Sequence, residues 1–209
     1  MSTKEKVTDY IFVKNLIPHA VCQHFLSEFA QPHFKWAPHV WYDPQSEDYA
    51  SEKTKELEVV FATPDAFKQL RPFVETALKD YQEKYRTQHE NTGPSFIQHI
   101  VKGRFNKYTP GTKMREHYDH IHDLFDGHLK GIPILSIVAL FNDDYEGGQF
   151  MIRGEEVKLT KGDILVFPSN FMYPHQVKDI IKGVRFSFVS WAFECVGIKN
   201  LSTRNHNGP

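Results

Sequence analysis

At 209 residues the chain is long enough for one domain with a sizeable core, and a second domain is not required. Its formal net charge of −1 provides no global drive toward nucleic acid or an anionic membrane surface. Its 2 cysteines, Cys22 and Cys195, form no CxxC or other spaced pair, so they read as packed thiols, not as a disulfide framework or a cysteine zinc site.

The opening MSTKEKVTDY has no apolar signal core, and no run approaches the roughly 18 apolar residues of a membrane span. A cytoplasmic location is therefore expected. Tyr10 to Val13 reads as a short strand, and Pro18 stands where the first turn of a helix tolerates proline. That helix runs to about Ala30, with Val21, Phe25, Leu26 and Phe29 as its apolar stripe.

From Gln31 to Glu56 the prolines Pro32, Pro38 and Pro44 break every period, and Trp36, Trp41, Tyr42 and Tyr49 are scattered between them. Residues 31–56 read either as an aromatic lid over a site or as a surface loop with strand fragments. Leu57 to Ala62 is a predicted strand. Thr63-Pro64-Asp65 then supplies an N-cap, a first-turn proline and a first-turn acid. The helix that follows carries Phe67, Leu70, Val74, Leu78, Tyr81 and Tyr85 on one face, which predicts packing on a sheet, and QHENTGP ends it.

From Ser95 the pattern is β throughout. FIQHIV leads into GRFNKYTPG and then TKMREHYD. ILSIVALFN is apolar enough for a strand buried on both faces; GGQFMI and EEVKL flank an Arg153-Gly154 turn; KGD precedes ILVFP; and VRFSFVSWAF closes the series. Helices precede strands, which disfavours a parallel α/β sheet and points to an α+β chain whose mainly β core is a sandwich or closed barrel.

His117-x-Asp119 on a predicted strand places an imidazole and a carboxylate on one face. His175, in YPHQV, is the candidate third donor. Two histidines and one carboxylate leave about three octahedral positions open, a set that suits non-haem Fe(II). Among 12 histidines a chance match is easy; His120, His122 and Asp123 offer rival donors, of which alternation puts His120 and His122 on the face opposite to His117 and Asp119. Arg185 interrupts an apolar strand. It is either an ordinary internal salt bridge or outward-facing residue, or an anion site to which Tyr108 adds a hydroxyl. Gly147 and Gly148 fit a close backbone approach or a plain hairpin turn.

In order, Tyr108-x-x-Gly111, His117-Tyr118-Asp119, LSIVALFNDDYEGGQFMI, KGDILVFPS, His175-Gln-Val, Gly183-Val-Arg185 and Trp191 resemble the 2-oxoglutarate and Fe(II)-dependent dioxygenases, in particular their prolyl 4-hydroxylase-like branch. The resemblance runs from roughly Ile97 to Phe193. It implies a cupin-like double-stranded β-helix, or jelly roll, spanning 96–194, with 1–95 as helix-rich support, 197–209 as a polar tail, and 1–209 as one catalytic domain. It also implies iron held by His117, Asp119 and His175, the distal carboxylate of 2-oxoglutarate on Arg185 and Tyr108, O₂ as co-reactant, and ascorbate as a further candidate cofactor. Trp191 is expected beside the cosubstrate pocket. Met114 and Leu140 stand where the branch commonly carries an aromatic residue and, in some relatives, a second tyrosine, and both departures bear on substrate identity. The leading expectation is hydroxylation of a prolyl residue in a protein or peptide. The alternatives are the same catalyst on another side chain, a free amino acid or a nucleic-acid base, and a non-catalytic jelly-roll module that binds metal structurally.

Overall fold

The computed structural model describes residues 6–43, 48–50, 57–86, 97, 99–119 and 132–194. In chain order the elements are a 3₁₀ turn Val7–Tyr10, β1 Phe12–Asn15, α1 His19–Phe29, β2 Ala37–Pro38, β3 Trp41–Asp43, β4 Asp48–Ala50, β5 Glu58–Phe61 and α2 Pro64–Arg86. They continue with β6 His99–Ile100, β7 Arg104–Tyr108, β8 Met114–His117, β9 Ile132–Leu140, β10 Glu146–Gly147, β11 Phe150–Ile152, β12 Glu155–Val157, β13 Asp163–Pro168, β14 His175–Val177, β15 Ile180–Lys182 and β16 Arg185–Glu194. Every strand pair among the described residues is antiparallel.

The large sheet runs β1-β13-β9-β16-β7-β5-β2, with β6 also on β16; the smaller facing sheet runs β12-β11-β14-β8. Alternation divides the large sheet into two apolar faces. Ile137, Ala139, Phe105, Ile164, Val166 and Phe188 pack under the helices with Phe25, Phe29, Phe67, Leu70 and Val74. Val138, Leu165, Phe167 and Tyr108 turn the other way, toward Met114, Phe150, Ile152 and Val177 of the smaller sheet. β9 therefore reads as continuously apolar because both of its faces are covered. The site lies between the inner of these two faces and the smaller sheet.

The second helix begins as its sequence predicts: the Ala66 N–H donates to Thr63 Oγ1 at 3.2 Å. Its stripe is buried at Phe67, Leu70, Val74, Leu78 and Tyr81. Two expectations are corrected. The first strand starts at Phe12, after a 3₁₀ turn over Val7–Tyr10. The second correction is that β1, β2 and β5 add strands to the large sheet, so the first 95 residues do more than supply supporting helices. Residues 31–56 carry strand fragments, as one of their two readings has it: β2 joins β5, and β3 pairs with β4. Short strands with prolines at their margins hide their period. Trp36 packs against the core, lying 5.6 Å from Phe29 and 5.9 Å from Phe186 between ring centroids.

The QHENTGP stretch, the 120–131 loop with His120, His122 and Asp123, Cys195 and the 197–209 tail lie outside the described residues, as do 44–47 and 51–56 of the lid segment. Cys22 is buried and free, and burial raises its thiol pKa, as expected of a packed thiol.

Candidate metal and dicarboxylate site

The site is made by two strands of the smaller sheet. β8 and β14 pair so that His117 and His175 are directly opposite, which brings their rings to 4.3 Å between centroids. β8 ends at His117, so Asp119 lies just beyond the ladder and not on the strand as its spacing predicts. It nonetheless turns its carboxylate back: Asp119 Oδ1 is 3.9 Å from His117 Nε2 and 4.0 Å from His175 Nε2. The three donor atoms all lie within 4.8 Å of one another.

The surroundings fix which atoms point inward. His117 Nδ1 is 2.8 Å from the Arg115 carbonyl, and His175 Nδ1 is 3.0 Å from the Tyr173 carbonyl. A carbonyl only accepts, so each Nδ1 carries the proton and each Nε2 presents a lone pair to the cleft. Burial, then the neighbouring His175, lowers the His117 pKa to about 4, which keeps its ring neutral. For Asp119, burial alone would raise the pKa, but His175, the Ser136 hydroxyl, His117 and a Trp191 side-chain hydrogen bond together bring it below the ordinary value. A carboxylate and two imidazoles that turn Nε2 toward it are a donor set a divalent ion takes, so the residues present fit one.

Sequence reasoning missed several parts of this arrangement. The Ser136 hydroxyl donates to Asp119 Oδ2 and shares a 2.6 Å hydrogen bond with Ser169. The available signal was a hydroxyl at a fully buried position of the apolar β9 strand. Trp191 lines the cleft of the triad and Tyr108 and bonds the Asp119 carboxylate; its even spacing from Arg185 places it on the same face, three rungs further along. Ser136→Ala is expected to weaken Mn(II) binding by about 10- to 100-fold, the usual scale for a residue that holds a ligand in place. Calorimetric titration checks this, and unchanged affinity would mean that Asp119 is oriented without Ser136.

Arg185 is 1 % exposed and directly opposite Tyr108 across β16 and β7. Its guanidinium lies 5.2 Å from the Tyr108 ring centroid and donates from Nη1 to Ser187 Oγ at 3.0 Å, while its Nε is buried without a partner among the described residues. Tyr108 lines the cleft of the triad together with Met114, whereas Arg185 borders an adjoining cleft with Tyr145, Gly148 and Phe150. Gly147 and Gly148 have φ of 81° and 66° and permit a close approach. A Cβ on Gly147 would lie 2.3 Å from the Asp179 carbonyl, and one on Gly148 would lie 2.4 Å from Ile180 and 3.3 Å from the Arg185 stem.

His39 is a further buried imidazole near the site. Burial, then Arg104, His117 and Arg115, lowers its pKa to about 3. Its folded value is below the unfolded one of about 6.5, so its contribution to stability is complete above that pH and declines as pH falls toward 3. Between pH 7 and 5 this amounts to about 2 kcal/mol. His39→Leu should therefore reduce the fall in Tm between pH 7 and 5 in metal-free protein, with His117 retaining part of it through the same sign. An identical acid limb would show that His39 is not buried neutral.

The family model described as the 2OG-Fe(II) oxygenase superfamily matches residues 103–193. A PKHD-type hydroxylase of Paraburkholderia xenovorans is 28% identical over 109 residues, covering 47% of this chain and 47% of that protein. The chain thus spans about half the length of this curated relative. Two solved structures share the fold. A Pseudomonas putida prolyl-4-hydroxylase has a TM-score of 0.64 at 18% identity, over 90% of this chain and 97% of that one. A Trichoplax adhaerens prolyl hydroxylase, solved with a peptide fragment of the hypoxia inducible factor oxygen degradation domain, has a TM-score of 0.66 at 15% identity, over 90% and 84%. Residues 103–193, which hold His117, Asp119, His175, Tyr108 and Arg185, are thus similar to the 2OG-Fe(II) oxygenase superfamily.

Proposed function

We propose that this chain is a 2-oxoglutarate- and Fe(II)-dependent dioxygenase that hydroxylates a prolyl residue in a protein or peptide. The observation that carries the reading is the convergence of His117, Asp119 and His175 in a cleft that Tyr108 also lines, with Arg185 directly opposite Tyr108 across β7 and β16. His117 and His175 would hold Fe(II) through Nε2 and Asp119 through its carboxylate. Arg185 would pair with the distal carboxylate of 2-oxoglutarate, and Tyr108 would donate to it. When bound, Fe(II) and 2-oxoglutarate supply the O₂ chemistry: 2-oxoglutarate, O₂ and a substrate C–H become succinate, CO₂ and C–OH. The chain's own part is to fix the donors, keep the interior dry with Phe150, Phe167 and Val177, and hold the substrate against the triad.

A catalytic unit over 1–209 working in the cytoplasm is consistent with this reading; no helix among the described residues is long and apolar enough to cross a membrane. Support for a peptide substrate comes from the likeness to prolyl hydroxylases, one of them solved with a peptide. The test is incubation with proline-containing peptides and a cell-protein extract, Fe(II), 2-oxoglutarate and ascorbate, followed by mass spectrometry. A gain of one oxygen on proline is the expected result. Gain on another side chain or a free amino acid would keep the catalyst and change the substrate, and absence of any succinate formation would leave a metal-binding jelly roll.

A further inference from the structure

β7 sends Arg104, Asn106 and Tyr108 to one face, since alternate strand residues share a side. Tyr108 is opposite Arg185 and Arg104 is opposite Val189, so the two arginines occupy opposite ends of the inner face. Four residues separate their positions by roughly 13 Å along the strand. A five-carbon diacid has four C–C bonds of about 1.5 Å and spans at most about 6 Å. Arg104, unlike Arg185, lines the cleft of His117, Asp119 and His175.

Its guanidinium carbon lies 6.0 Å from the ring centroid of Trp191, the residue that bonds the Asp119 carboxylate. Arg104 Nε is buried with no hydrogen-bond partner among the described residues. Asp119 is the acid whose field reaches it, yet that carboxylate is engaged by Ser136 and Trp191. A desolvated cation with an unused donor is an incomplete pair, and an incoming anion completes it. The planar fork, set against an indole, is shaped for a carboxylate.

We propose that Arg104 is a specificity-determining residue that binds a carboxylate beside the metal triad, and that the primary substrate is therefore acidic close to its reacting carbon. The carboxylate is an α-carboxyl group or an Asp or Glu side chain next to the target residue. This rests on the reading of the triad as an Fe(II) and 2-oxoglutarate site. The other source of the same chemistry is the metal-proximal carboxylate of 2-oxoglutarate itself, which the test separates.

The protein is loaded with Mn(II) and saturating 2-oxoglutarate, so that no turnover occurs, and ligand affinity is read from thermal shifts. The probes are two matched pairs: L-proline with L-prolinamide, and acetyl-Pro-Glu-amide with acetyl-Pro-Gln-amide. The expected result is that, in at least one pair, wild type binds the acid roughly tenfold or more tightly than the amide. Arg104→Met, which keeps bulk against Trp191, should lose that preference; Arg104→Lys should keep part of it; neither should change the 2-oxoglutarate midpoint. A tenfold or greater rise of that midpoint in Arg104→Met would assign the carboxylate to the cosubstrate and overturn the substrate claim. No acid preference in wild type, or the same preference in Arg104→Met, would also overturn it. If wild type takes up no Mn(II), it is the triad reading that fails; the acid–amide comparison on metal-free protein still reports on Arg104.

Discussion

Asp119→Ala is expected to lower Fe(II)-dependent succinate formation by more than about 100-fold. Losing an outer-shell partner of a metal ligand typically costs 10- to 100-fold in affinity or activity, and loss of the ligand itself costs more. Asp119 is also the only carboxylate of the triad, with its oxygen 3.9 and 4.0 Å from the two imidazole Nε2 atoms. Without it, a divalent ion would face two imidazoles and no counter-charge. Stability should move differently, because Asp119→Ala strands the hydroxyl of Ser136, which keeps only Ser169 as a partner. A modest fall in Tm with near-complete loss of turnover separates a failed site from a failed fold. Succinate release measured across Fe(II) concentrations checks this, and unchanged turnover would remove Asp119 from the metal site.

Arg185→Met is expected to raise the 2-oxoglutarate requirement by about 10- to 150-fold, the scale of about 1.5–3 kcal/mol for a hydrogen bond to a charged partner. The two states of the protein should respond in opposite ways. Among the described residues the buried guanidinium donates to Ser187 and leaves Nε unpartnered. Replacing it with methionine, which fills similar space, should therefore leave Tm unchanged or higher. With 2-oxoglutarate present, the variant should gain far less stability than wild type. Arg185→Lys should recover little, since a point charge cannot reproduce the fork above the Tyr108 ring. A full 2-oxoglutarate-induced shift in Arg185→Met would place the distal carboxylate elsewhere.

The fold was legible where burial is one-sided or continuous. The α2 stripe and the double-faced β9 strand follow from composition at fixed spacing, and the Arg153-Gly154 turn follows from its need for positive φ, observed at 54° and 81°. Short strands were not legible. β10, β14 and β15 have two or three residues each, too few for a period to show, and are set by their partners across the sheet. The spacing of His117 and Asp119 identified both residues, but for an incomplete reason: cross-strand pairing with His175 aligns the imidazoles, and Ser136 with Trp191 turns the carboxylate from outside the strand. Such long-range partners leave no local pattern. Arg104 went unnoticed for the same reason, since a charged residue at a strand's start reads as solvated until Trp191 is seen beneath it.

The measurement that bears most directly on the central claim is metal content after anaerobic equilibration with Fe(II), with and without 2-oxoglutarate, in wild type, His175→Ala and Arg185→Met. The account predicts one iron per chain in wild type and in Arg185→Met, little in His175→Ala, and 2-oxoglutarate-dependent tightening of iron binding in wild type alone. One equivalent of iron retained by His175→Ala, or equal tightening in wild type and Arg185→Met, would contradict it.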